Sequence, residues 1–168
     1  MLVSEICTRD VRCCNRDTDL ASAARLMWES DCGVVPVVDA ENKVVGVVTD
    51  RDICIAAATR SRLASEIRVG DVIGGTCVTC RASDDVRSVL ADMAQHSVRR
   101  LPVVDDNRKL TGVISISDVI QAARDPREGS KGGISPSEVL HALETITRPR
   151  IPRKETRPSV VRAGSGRP

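Results

Sequence analysis

Two stretches of the chain place a hydroxyl side chain and a carboxylate at one spacing. The first is Gly46-Val47-Val48-Thr49-Asp50-Arg51-Asp52-Ile53, and the second is Gly112-Val113-Ile114-Ser115-Ile116-Ser117-Asp118-Val119. Each reads glycine, two β-branched residues, a hydroxyl residue, two variable positions, an aspartate and a β-branched residue. An apolar run that ends on Thr or Ser is a strand handing the chain to a helix, with the hydroxyl at the N-cap. The acid three residues on can accept two hydrogen bonds at once, and those to a charged acceptor are the stronger kind. Thr49 with Asp52, and Ser115 with Asp118, are therefore the candidate ligand-reading groups. The same pairs are also an ordinary capping arrangement, with the acid beside the positive end of its helix.

The elements that hold these pairs occur twice. A shift of 66 positions lays the halves over each other without a gap, so that Val3, Glu5 and Ile6 fall on Val69, Asp71 and Val72. Cys14 falls on Cys80, Met27 on Met93, and Pro36-Val37-Val38-Asp39 on Pro102-Val103-Val104-Asp105. Each copy begins with a short extended piece near Val11–Cys13 or Cys77–Thr79, followed by a helix. Leu20, Ala23, Ala24, Met27 and Trp28 form one helical face, repeated by Val86, Val89, Leu90, Met93 and Ala94. Asp17 or Thr18, and Ser83 or Asp84, can cap those helices. Two apolar strands joined by an Asp/Asn turn then read as a hairpin, at 34–38 with 44–48 and at 101–104 with 110–114. A second helix leaves from Thr49 or Ser115. One such unit is too small for a good core, which two copies packed sheet to sheet would provide.

The predicted organisation is a first repeat over 1–59, a linker over 60–68, a second repeat over 69–123 and a tail over 124–168. The body carries 15 Lys and Arg against 18 Asp and Glu, a net of −3, whereas the tail carries 10 against 5, a net of +5. Six of the eight prolines lie beyond residue 125, a composition that favours a linker and a disordered terminus. Within the tail, Ser135-Pro136-Ser137-Glu138 is a capping box with proline at the first helical position. Val139, Leu140, Leu143 and Ile146 continue it as an apolar stripe, so a helix near 136–147 should dock on the body or on a partner.

Several classes lose ground. The chain has one Trp and neither Tyr nor Phe, which removes the stacking platforms of single-strand nucleic-acid binders, so a nucleic-acid partner through the basic tail is disfavoured. No apolar run reaches the ~20 residues of a membrane span. The start of the chain is no secretory signal, and seven cysteines fit reduced thiols, so a cytoplasmic protein is expected. No nucleophile–base pair is identified by spacing and the two histidines lie in unrelated helices, so the chain reads as non-catalytic. Cys77-Val78-Thr79-Cys80 has C-x-x-C spacing but lacks a second ligand pair for zinc, so no metal site is assigned.

These residues resemble CBS domains, named after cystathionine β-synthase, which usually occur as a tandem called a Bateman module. The resemblance covers roughly residues 1–123 and rests on Val-x-[Glu/Asp]-[Ile/Val] at 3–6 and 69–72, on the Pro-Val-Val-Asp strands and on the two Gly-x-x-[Thr/Ser]-x-x-Asp motifs. It implies an α/β (α+β) fold of two β-α-β-β-α repeats with pseudo-two-fold symmetry, similar to small stand-alone bacterial CBS pairs. It also implies a homodimer and a regulatory role without a required cofactor. The effector would be an adenosyl compound (AMP, ADP, ATP, NAD or S-adenosylmethionine) held in clefts between the repeats. On that reading Asp52 and Asp118 accept from the ribose hydroxyls, Thr49 and Ser115 bond the ligand, and Gly46 and Gly112 allow a close backbone approach. Val34, Val35 and Leu101 would line the adenine slot, and the helix N-termini would attract phosphate.

The two sites should be unequal. Arg99 and Arg100 precede the second copy's strand, and a guanidinium suits phosphate because its planar fork bonds two oxygens. The first copy has Gly33-Val34 there, and only Arg51 could compensate. A rival reading is a structural docking or dimerisation module with vestigial sites; the downstream protein partner is not readable from the sequence.

Overall fold

The computed structural model describes residues 1–75, 77–124 and 133–148. In order these form α1 (Val3–Ile6), α2 (Leu20–Glu29), β1 (Val34–Val38), β2 (Val44–Thr49), α3 (Asp50–Thr59), 3-10 turns at Ala64–Glu66 and Val69–Asp71, β3 (Cys80–Arg81), α4 (Val86–His96), β4 (Arg100–Val104), β5 (Leu110–Ser115), α5 (Ile116–Arg124) and α6 (Pro136–Thr147). It is a mixed α+β fold with short sheets. The predicted linker over 60–68 is described throughout, whereas 125–132 and 149–168 of the predicted tail lie outside the described residues.

Each repeat is an antiparallel hairpin with two helices against one face. β1 pairs with β2, from Val34 opposite Thr49 to Val38 opposite Val44, and β4 with β5, from Arg100 opposite Ser115 to Val104 opposite Leu110. A third strand joins in parallel, but later than the sequence suggested. It is β3 beside β4 in the second repeat and a single bridge, Cys14 to Val37, in the first. The helix caps move as well, to Asp19 and Asp85, whose carboxylates accept from the amides of Ser22 and Arg87.

The strands are apolar on both faces, as strands covered on both sides are. Val35 and Val37 join the first core, with Leu20, Ala23 and Met27, while Leu101 and Val103 join the second, with Val89, Leu90 and Met93. Val38 and Val104 lie on the opposite face and meet each other, with Val44 and Leu110, where the repeats touch. Backbone bonds between the hairpin turns, Val44 N–H to the Arg108 carbonyl (3.0 Å) and Leu110 N–H to the Asn42 carbonyl (3.0 Å), close that contact.

The repeats exchange their leading segments. Val3 of α1 is fully buried in the second core, and Ile67 and Val69 are fully buried in the first. The exchange is reciprocal at the start of each segment, whereas among the described residues the Thr8–Val113 bridge occurs in the second repeat alone: Val3 N–H donates to the Asp84 carbonyl at 3.0 Å, and Val69 N–H to that of Thr18 at 2.8 Å. Likewise Val86 N–H reaches the Met1 carbonyl (3.0 Å) and Leu20 N–H that of Ile67 (2.9 Å). Val72, placed on Ile6 by the shift, also packs on the first core.

The two repeats are covered unequally. α6 lies on α4 and α5 and adds Val139, Ala142 and Ile146 to the second core. Ser135 and Glu138 form the expected capping box, and Glu138 Oε1 is 2.8 Å from Arg87 Nε. The predicted stripe is rotated, because a helix seated between two others buries Ala142 and turns Leu140 outward, 59% exposed. Among the described residues only the short 3-10 turn Ala64–Glu66 packs over α2 and α3, and Trp28 is 88% exposed.

Candidate functional site: two strand–helix cradles

Both hydroxyl–carboxylate pairs sit at the strand-to-helix junctions. The Thr49 amide and hydroxyl donate to Asp52 Oδ2 at 2.9 and 2.7 Å, and the Asp52 amide returns a bond to Thr49 Oγ1 at 3.2 Å. In the second repeat the Ser115 amide and hydroxyl donate to Asp118 Oδ2, both at 2.7 Å, and the Asp118 amide reaches Ser115 Oγ at 3.3 Å. The two boxes agree to within a few tenths of an ångström. Each aspartate thus fastens its helix through one oxygen. Oδ1 of Asp52 and of Asp118 has no partner among the described residues and remains a free acceptor on a half-buried carboxylate.

Strand pairing brings Arg100 opposite Ser115, and the Arg99 carbonyl accepts from the Ile116 amide at 2.9 Å. Both arginines are exposed beside the start of α5. Gly33 and Val34 hold the matching places beside Thr49, with the Gly33 carbonyl accepting from the Asp50 amide at 3.2 Å. Arg51 is exposed on the first turn of α3.

Other predicted residues have different surroundings. Val35 and Leu101, expected at an adenine slot, are each 1% exposed inside the repeat cores, which corrects that expectation. Strand alternation turns Val34 toward the other face, and it is half-buried. A Cβ on Gly112 would lie 2.6 Å from the Thr8 carbonyl oxygen, so the close approach there is made by the exchanged segment. At Gly46 it would lie 3.0 Å from Ile73 Cδ1. Sequence reasoning passed over Asp50, whose Oδ2 stands 2.8 Å from where a Cβ on Gly33 would be. Its carboxyl group was visible as the one charged residue at a variable position whose counterpart, Ile116, is apolar.

A groove of about 490 Å³ opens beside Gly33 and Asp50, walled by Met27, Trp28 and Ile53 from the same repeat. A polar cleft of about 390 Å³, lined by Thr79, Arg81, Asp84, Asp105 and Arg108, lies at the far end of β4 and contains none of the predicted ligand residues.

The cysteines separate. Cys80 belongs to the second core and Cys77 to the contact between the repeats, so the C-x-x-C splays. Burial pushes the Cys80 thiol up to about 12 and the Cys14 thiol up to about 11, which keeps both protonated and poor as nucleophiles or ligands. No group of three or more metal-ligating side chains occurs among the described residues.

The chain belongs to the CBS domain family, whose model matches residues 3–58 and 69–125. An uncharacterised 17.7 kDa protein of Acidianus ambivalens is 35% identical over 125 residues, 73% of each chain. An uncharacterised protein of Methanopyrus kandleri is 29% identical over 71% of this chain, which spans 61% of that relative's length. Among solved structures, CBSX2 in complex with AMP is 28% identical with a TM-score of 0.64, over 73% of this chain and 95% of that one. The CBS domain pair of protein MJ0100 shares the fold at 23% identity and a TM-score of 0.66, covering 72% and 94%. No helix among the described residues is long and apolar enough to cross a membrane.

Proposed function

We propose that the chain is a non-catalytic regulatory module that binds an adenosine-containing ligand at its strand–helix cradles and passes the change in repeat packing to a partner. The observation that carries this reading is the free Oδ1 acceptor on Asp118, held by its capping box beside two exposed arginines. A diol can donate to that oxygen while phosphate meets the guanidinium groups and the helix amides. The AMP carried by a related CBS protein supports the ligand class.

Calorimetric titration of AMP into the ligand-free chain tests it. Asp118→Ala and Arg100→Ala should each weaken binding about tenfold, the loss of one charge-assisted contact, while Asp52→Ala does less. Equal losses at both aspartates would remove the asymmetry, and no heat with AMP, ATP, NAD or S-adenosylmethionine would remove the reading.

The expected homodimer is proposed to form through the uncovered face of α2 and α3. An exposed tryptophan over an apolar groove is the kind of anchor that dominates interfaces. Trp28→Ala should shift sedimentation from dimer to monomer.

A further inference from the structure

We infer that Asp50 makes the first cradle selective for an adenosyl ligand without phosphate, a thioether nucleoside in the simplest case, and leaves phosphorylated nucleotide to the second cradle. The inference rests on the reading of both cradles as adenosyl sites and goes on to divide the ligands between them.

Gly33 and Arg99 are structural equivalents, since each carbonyl accepts from the first residue of the following helix, Asp50 or Ile116. The side chain of residue 99 leaves the backbone in the direction that a Cβ on Gly33 would take. In the first repeat that direction is filled by the Asp50 carboxylate, with Oδ2 at 2.8 Å and Cγ at 3.3 Å from the Cβ position. A carboxylate thus stands in the first repeat at the position whose equivalent in the second carries an exposed arginine side chain.

The helix ends reinforce the difference. The first turn of α3 holds Asp50 and Asp52, and that of α5 holds Asp118 alone. Two acids on one helix terminus already satisfy its partial positive charge and leave less of it for an anion. Asp50 Oδ1 also takes the Arg51 amide at 2.7 Å, one of the donors a phosphate would need. Among the described residues Arg51 forms no ion pair with Asp50. Taking Asp50, Arg51 and Asp52 against Arg99, Arg100 and Asp118, the first cradle nets −1 and the second +1. Ile116, in the place of Asp50, is 8% exposed and carries no charge.

The test uses AMP and 5′-methylthioadenosine, which share the nucleoside and differ at the 5′ position. The first cradle is read in the full-length Arg99→Ala/Arg100→Ala/Asp118→Ala chain, which removes the second cradle's phosphate and ribose contacts together and leaves Thr49, Asp50 and Asp52 in place. There 5′-methylthioadenosine should bind about tenfold more tightly than AMP, and Asp50→Asn should close about fivefold of that gap, the scale of one partly screened charge. Gly33→Arg/Asp50→Ile should reverse the preference. Equal affinity for the two probes, or a gap that Asp50→Asn leaves unchanged, overturns the selector while the adenosyl reading stands. Silence with both probes in the unmodified chain overturns both.

Discussion

The two repeats agree at their base and differ at their rim. At the base, the capping boxes and the bonds of Val3, Ser4, Leu20, Val69, Gly70 and Val86 that join the repeats recur under the 66-position shift. At the rim, the second repeat has Arg99 and Arg100 beside its cradle and α6 over its helices; the first has Gly33, an added acid at Asp50 and only the 3-10 turn Ala64–Glu66 against its helices. The shared part is what the fold needs to close. The divergent part lies where ligand and partner are proposed to bind, and there two copies are free to take different tasks.

A core substitution gives the largest break in that comparison. Ile67 is fully buried in the first core although it precedes the second repeat. Ile67→Ala should cost about 2–5 kcal/mol. If the exchange couples the repeats, urea melting will still show one transition at a lower midpoint; two separated transitions would mean the repeats fold apart.

A pair of glycine substitutions sharpens it. Gly112→Ala drives a methyl into the Thr8 carbonyl and should cost on the order of 1–3 kcal/mol. Gly46→Ala meets only the end of Ile73, a flexible side chain, and should cost about 1 kcal/mol or less. Equal losses in thermal melts would mean that Thr8 does not pin β5 as Ile73 fails to pin β2.

The smallest effect concerns the helix that only the second repeat carries. The Ser135 amide and hydroxyl, followed by Arg87, hold the Glu138 carboxyl down at about 2, from an ordinary 4.5. A carboxyl lowered in the folded state adds stability that is complete above 4.5 and is lost as pH falls toward 2. The difference in melting temperature between the wild-type chain and Glu138→Gln should therefore be constant near neutral pH and shrink below about pH 4.5. A difference that grows in acid would refute the latch.

Much of this was legible because it is periodic. The duplication, the hairpins and the Leu20–Ala23–Met27 face all follow from spacing, and so do the N-caps at Thr49, Ser115 and Ser135. What was missed has no period. Asp17, Thr18 and Asp19 are all capable caps, and only tertiary context selects Asp19. A strand one or two residues long, at Cys14 or Cys80–Arg81, shows no alternation. Val34–Val38 is apolar throughout, so the sequence could not say that Val35 faces the core and Val34 does not. The Asp50 contact depends on a side chain folding back over a neighbouring strand, which spacing does not encode.

The exchange of leading segments has one more consequence. Each repeat is completed by the other's first turn, so the chain resembles a segment-swapped dimer joined end to end by its own linker. Severing the peptide between residues 60 and 66 would leave two fragments that must find each other to fold, and their complementation would depend on concentration. The bond through the linker turns that bimolecular encounter into a unimolecular one, at the cost of contacts that span half the sequence and of a correspondingly slower search.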